Sequence, residues 1–309
     1  MAARPRIVII GGGFGGLAAA KFLRGEPVDV TVIDRTNHHL FQPLLYQVAM
    51  AGLAPSDITV PIRWKAMPRD FRNIDTRKSR VILVEAGPRL LPAMPEPSSA
   101  RRDLERLGVE VRTGAAVTGV DAHGARIGNG LIRASNVFWA AGNQASPLGA
   151  MLGGPVDCAG RVLVGDDLSV PGRPEVFVAG DLAAVRRADG SLVPGVAPAA
   201  MQEGRRAADN ALRIVNGETT NPFRYYNKGD LATIGRNRAI AVFGRFEVAG
   251  YPAWLLWLFV HILYLVGFRN RLSVLMQWAY AYFTFQRGVR LITAAERAAP
   301  AVAGPGDRP

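Results

Sequence analysis

Six residues near the N-terminus, Gly11-Gly-Gly-Phe-Gly-Gly16, carry the spacing G-x-G-x-x-G at Gly11, Gly13 and Gly16, and an aspartate, Asp34, closes the apolar run that follows. The chemistry this set supports is the grip of a dinucleotide. The first glycine makes a tight turn, the second lets backbone approach the pyrophosphate, and the third lets a helix pack on its strand. Asp34 can then accept from a ribose hydroxyl. An ordinary strand-turn-helix with glycines kept for packing would leave the position of the acid unexplained.

Two further stretches end on small residues. Val137-Phe-Trp-Ala-Ala-Gly142 predicts a buried strand, and Val176-Phe-Val-Ala-Gly-Asp181 predicts another with an aspartate at its carboxyl end. Such ends let a cofactor come close to backbone, and Asp181 is placed to accept from a sugar-alcohol hydroxyl, which favours a flavin over a nicotinamide alone. The competing view of Gly180 and Asp181 is a helix N-cap. A helix is expected from about residue 195 to 216, with Pro198 in its first turn. Its N-terminus, turned to the pyrimidine end of a flavin, would stabilise the negative charge that reduction puts there, whereas a routine surface helix would do nothing of the kind.

The elements that must hold these residues alternate strand and helix. Residues 6–10 and 28–34 read as strands around a helix at 17–23, and a second α/β unit begins at Arg80: strand 81–85, helix 100–107, strand 109–112. Glu85 ends its strand as Asp34 does, yet no glycine loop precedes it. Residues 115–135 alternate as antiparallel hairpins. His38 and His39 are adjacent, but no third ligand stands at a metal-site spacing, so no metal is expected.

With 309 residues, 49% of them hydrophobic, the chain can bury a core for about two domains. Its formal charge is +12, and only four of the 37 basic residues are lysine, so the arginine bias can also reflect genome composition. The surplus points to a polyanionic partner. No nucleic-acid motif occurs, which leaves the anionic face of a membrane. The single cysteine, Cys158, excludes an internal disulfide and a dithiol centre, consistent with a reducing compartment. The apolar run after Arg6 ends in the glycine loop, which argues against a cleaved signal peptide.

The C-terminal region differs. Residues 248–268 and 272–286 hold no charge, and three of the five tryptophans lie there, bordered by Arg269, Arg271, Arg287 and Arg290. Neither apolar core reaches the ~20 residues of a comfortable span, whereas aromatic-rich helices edged by arginine suit the membrane interface. A buried hairpin and a true span are the alternatives. Residues 298–309 read as a disordered tail.

Taken together, the glycine loop, Asp34 through Ala49 with its histidine pair, residues 81–92, Trp139-Ala-Ala-Gly142, Val178-Ala-Gly-Asp181, Tyr225-Tyr-Asn-Lys-Gly229 and the tryptophan-rich end resemble the type II NADH:quinone oxidoreductases. The resemblance covers nearly the whole chain. It implies an α/β fold of glutathione-reductase-like, two-dinucleotide-domain architecture: a Rossmann-like FAD-binding domain in two parts (1–68 and 131–246), a truncated NAD-binding-like domain (69–130), membrane-anchoring helices (247–297) and the tail (298–309). It places FAD on Gly11, Gly13, Phe14, Gly15, Gly16, Asp34, Arg35, His38, His39, Gln47, Ala141, Gly142, Gly180, Asp181 and Ala197. Glu85 is the implied NAD contact, Met201, Gln202 and Gly204 the quinone contacts, and Gln202 with Lys228 the catalytic pair. The implied reaction is ping-pong transfer from NADH through FAD to a membrane quinone, without proton pumping, at the cytoplasmic face of the membrane. Self-association as a homodimer is compatible with it.

The chain departs from that pattern in one place. Between the segment near Asp57 and Arg69, the family has a strand returning to the FAD domain, then a second strand and glycine loop for NADH; here residues 61–68 bridge the gap, and no second G-x-G-x-x-G occurs. The amides that should hold the NADH pyrophosphate are gone. Pro198, where glutamine is expected, and Asn227, where aspartate is frequent, are smaller departures. The alternatives are a flavin-binding membrane remnant without catalysis and a soluble ferredoxin-reductase-like flavoenzyme.

Overall fold

The structure is a computed structural model, described here for residues 4–35, 80–91, 98–134, 136–140, 142, 144–235, 237–264 and 275–276. Strand β1 (Arg6–Ile10) runs parallel to β2 (Asp29–Ile33) with Arg6 opposite Asp29 and Ile10 opposite Ile33, and α1 (Phe14–Phe22) connects them. Next come the parallel pair β3 (Val81–Val84) and β4 (Val109–Arg112), with α2 (Ser98–Arg106) between them in the chain. An antiparallel meander follows: β5 (Val117–Asp121), β6 (Gly124–Ile127) and β7 (Gly130–Arg133). These match the alternation expected from the sequence.

The middle of the chain is built from short pieces: α3 (Leu148–Met151), β8 (Val162–Leu163), β9 (Ser169–Val170), β10 (Arg173–Phe177), a 3-10 turn at Gly180–Leu182 and β11 (Ala183–Ala184). They are held by a common core of Val162, Leu168, Val170, Val178, Val185, Val193 and Ala199. Helix α4 (Ala197–Val215) carries Pro198 in its first turn, as expected of a residue that lacks an N–H where no intrahelical acceptor exists. Its Asn210, fully buried, donates to the carbonyls of Asp167 and Asn221 and accepts from the Asn221 N–H, at 2.8–2.9 Å. That one side chain satisfies three backbone groups across two loops.

The last unit is the antiparallel sheet β12 (Asp230–Gly235), β13 (Arg238–Phe243) and β14 (Phe246–Gly250), followed by α5 (Tyr251–Tyr264). The two-residue period of β13 explains its position. Ala239 and Ala241 turn to one face, against Ala253 and Trp257 of α5, while Ile240 and Val242 turn to the other, against Ala100 of α2. Arg238 also donates to the buried Asp103 of α2 at 2.6 Å. The strand thus ties α2 to α5.

One expectation from the sequence is corrected. Residues 137–140 and 142 lie in no strand, and Phe138 and Trp139 are 92% and 67% exposed. An apolar run becomes a buried strand only where a neighbouring ladder accepts it, and among the described residues every sheet has two or three strands, none of them beside this segment. For the same reason β1, central in a doubly wound sheet, is paired on one side only, leaving Val8 and Ile10 half or more exposed.

Candidate functional site

The glycine turn sits where β1 hands over to α1. Gly11 adopts φ +101°, the left-handed region that favours glycine, and its N–H donates to the Ile33 carbonyl at 2.8 Å, fastening the turn to β2. A side chain at Gly16 would collide with the Gly11 carbonyl oxygen and crowd Ile9, so the third glycine lets α1 settle on its own turn and strand. Gly13, the cap of α1, is different: a Cβ there would meet nothing within 4 Å, and no side chain caps the helix. Open space over an uncapped helix start is the room a pyrophosphate needs. The Gly12 N–H donates to the Asp34 carboxylate at 2.6 Å, which brings the acid over the turn. Arg35 beside it is exposed. On these observations the residues fit a dinucleotide such as FAD.

Helix α4 joins this turn to the Gly180–Asp181 segment. A Cβ at Gly204 would strike the Gly15 backbone, and one at Gly15 would come within 3.2 Å of the Ala200 carbonyl and 3.6 Å of Ala179. The two helices therefore touch backbone to backbone, glycine on glycine. Gly180, at φ +77°, opens the 3-10 turn that follows β10 and places Asp181, which is exposed, next to Gly195. Four segments that the sequence singled out separately, 11–16, 34, 180–181 and the start of α4 at Ala197, converge.

Gln202 and Gly204, expected at a quinone contact, have clear local partners. The Gln202 amide donates to the Tyr226 carbonyl and accepts from the Tyr226 N–H, both at 3.0 Å, pairing with that backbone as a strand neighbour would. Gly204 is buried in the seam with Gly15, and Met201 is partly buried. Lys228 is exposed, in a turn closed by the Gly229 N–H donating to the Asn227 side chain at 2.9 Å. Gly142 (φ +99°) is exposed with open space around it. Glu85 stands apart, at the end of β3, where its carboxylate accepts from the Gly87 N–H at 2.7 Å. His38, His39, Gln47 and Ala141 lie outside the described residues.

The sequence reading passed over Glu203. It is 3% exposed, and its Oε2 accepts from the Gly180 N–H at 2.6 Å. Burial pushes its carboxyl up to about 7, the Asp181 charge adding to the effect and the Gly180 hydrogen bond opposing it. A signal was present: Glu203 falls on the same helical stripe as the buried Ala199, Ala200 and Asn210, so it is an acid on the core face.

Comparison with known proteins shows the family. The family profile "Pyridine nucleotide-disulphide oxidoreductase" matches residues 5–79 and 69–204, and "NDH2 C-terminal domain" matches residues 227–287. Type II NADH:quinone oxidoreductase NdhA of Mycobacterium tuberculosis is 33% identical over 426 residues, covering 94% of this chain and 90% of that protein. The chain belongs to the type II NADH:quinone oxidoreductases. A second member of this family from the same organism, Ndh, is 31% identical over 424 residues with the same coverage, 94% and 90%. Both matches run longer than the 309 residues of this chain, so those oxidoreductases carry internal sequence without a counterpart here. The profile match falls in two stretches that overlap at residues 69–79. The fold resembles NDH2 from Plasmodium falciparum, solved in complex with NADH, at a TM-score of 0.79 and 13% identity over 93% of this chain and all of that one.

Proposed function

We propose that the chain is an FAD-dependent NADH:quinone oxidoreductase that works without proton pumping at a membrane surface, with NADH turnover slowed by the missing second glycine loop. The observation that carries it is the convergence of the Gly11–Gly16 turn, Asp34, Asp181 and the start of α4 in a chain of this family. FAD, when bound, supplies a two-electron relay that accepts hydride from NADH and passes electrons to quinone. The residues orient it. Amides around Gly13 to Gly16 at the α1 N-terminus hold the pyrophosphate, Asp34 accepts from the ribose, and Asp181 accepts from the polyol chain. The positive end of α4 at Ala197 would stabilise negative charge on a reduced flavin held there. Gln202 positions the Tyr226 segment, bringing Lys228 to the quinone side with Met201. Glu85 contacts the NADH ribose.

The membrane placement, on the cytoplasmic face, draws on α5. Tyr251, Leu255, Phe259 and Leu263 recur every four residues and are each 43–60% exposed, while Ala253 and Trp257 on the opposite side are buried against β13. A helix apolar on both faces, with one of them open among the described residues, suits an interfacial position. No helix among the described residues is long and apolar enough to cross a membrane.

A second reading is favoured by the gap itself: a flavoprotein that binds FAD and no longer accepts hydride from NADH. Anaerobic mixing of the FAD-loaded chain with NADH decides between the two. Bleaching of the flavin absorbance followed by reoxidation with a soluble quinone supports the oxidoreductase. A stable yellow complex that NADH does not bleach supports the inactive flavoprotein.

A further inference from the structure

We propose that Glu203 is a positioning residue for the flavin site: its buried carboxyl anchors the Gly180–Asp181 turn from behind, and it takes up a fraction of a proton from solvent when the cofactor seats against Asp181. The proposal rests on the flavin reading above. Its geometry is local and closed. Glu203 lies two turns into α4, 3% exposed, and Oε2 reaches the Gly180 N–H at 2.6 Å. That N–H belongs to a glycine at φ +77° whose turn is pressed on the same helix, with Ala200 3.5 Å from a would-be Cβ. The turn needs an anchor, since the next residue is Asp181, whose direction follows from the Gly180 conformation. Two carboxylates thus flank one turn, one buried behind it and one open in front.

The titratable groups that act on this pair come from three sides. Asp181 of the turn raises the proton affinity of Glu203, as burial does first and more strongly. Tyr225, from the segment after α4, feels the negative charges of Asp230 and Glu203 and carries Arg187 over its ring at 5.3 Å. Helix α1, packed along the same seam, buries only Gly15, Ala18 and Ala19. Burial first and the Asp181 charge second hold the proton affinity of Glu203 well above that of an ordinary carboxyl. Seating the polyol on Asp181 removes water from the turn, and the pyrophosphate adds negative charge nearby. Both changes disfavour a charged Glu203, so FAD binding draws a proton onto its carboxylate. By linkage, a ligand that raises a site's proton affinity binds more tightly as pH falls through that range.

The test compares the full chain with Glu203→Gln, which keeps an acceptor for the Gly180 N–H and cannot titrate. Calorimetric FAD titrations near pH 7 in buffers of different ionisation enthalpy read the proton directly. Wild type should take up a fraction of one proton and Glu203→Gln none. From about pH 6 to about pH 8 the wild-type Kd should rise several-fold, within the limit of about tenfold per pH unit set by one proton, while the Glu203→Gln Kd stays flat. Equal pH dependence in the two chains, or no proton uptake by wild type, overturns the proposal; the wild-type measurement stands alone if the variant does not fold. Failure of both chains to bind FAD at any pH overturns the flavin reading and the proton-uptake step with it. Thermal unfolding of the ligand-free chains then reads the cost of ionising the buried carboxyl by itself. Wild type should lose stability relative to Glu203→Gln as pH rises from about 5 to about 8, and parallel profiles overturn it.

Discussion

Three glycines with the same side chain answer to different forces, and substitution separates them. Gly13 faces open space, so Gly13→Ala should leave stability within ~0.5 kcal/mol while weakening FAD binding by tenfold or more, about 1.4 kcal/mol, as the new methyl enters the pyrophosphate room. Gly204 faces the Gly15 backbone. Alanine gains ~1 kcal/mol of helix preference over glycine, yet a Cβ driven into backbone forces the helices apart, and Gly204→Ala should lose roughly 1–3 kcal/mol net in urea unfolding. Gly16 belongs with Gly204, since its Cβ would meet the Gly11 carbonyl. Asn210→Ala should cost about 2–4 kcal/mol, because it strands three partly buried backbone groups at once. Glu203 sets a pH dependence of its own. Its folded-state value of about 7 lies above the ordinary 4.5, so its contribution to ligand-free stability is full below the ordinary value and is lost as pH rises through 7.

At the scale of elements, α5 has two faces with separate jobs. Trp257 is 4% exposed against β13, and Trp257→Ala should destabilise the C-terminal sheet by about 3–5 kcal/mol, seen in thermal unfolding. Leu255 and Phe259, on the open face, contribute little to folding. The double change Leu255→Gln with Phe259→Gln should leave the melting curve in place and lower vesicle partition about tenfold or more, since inserting each such side chain into an apolar medium is worth up to ~1.5–3 kcal/mol. Unchanged partition would remove this face from the membrane contact. Helix α2 shows how one element serves two sheets: it lies between β3 and β4 in the chain, and its Asp103 and Ala100 reach β13.

The whole molecule carries a formal +12, and that excess acts at long range. Binding to anionic vesicles should exceed binding to zwitterionic ones and fall at 1 M salt, where the screening length is ~3 Å, while the part due to α5 persists. Sedimentation with vesicles at low and high salt measures both parts. The same scale explains the small sheets. An internal segment present in the relatives has no counterpart here, and among the described residues β1 and β3 each pair on one side only. A strand's second neighbour is a long-range matter, supplied by sequence far along the chain.

The sequence alone determined what local spacing can encode. The glycine turn, Asp34, the α/β alternation of residues 80–112, the hairpins of 115–135 and the start of α4 at its proline were all legible, because turn chemistry and hydrophobic period act over a few residues. Tertiary structure decided what depends on neighbours. It left residues 137–140 without a ladder among the described residues, seated Gly204 on Gly15, turned Gln202 to the Tyr226 backbone, and buried Glu203 behind the Gly180–Asp181 turn. Burial and hydrogen-bond partners are properties of pairs distant in the chain, and a residue's proton affinity or packing role is set by such pairs, not by its own type.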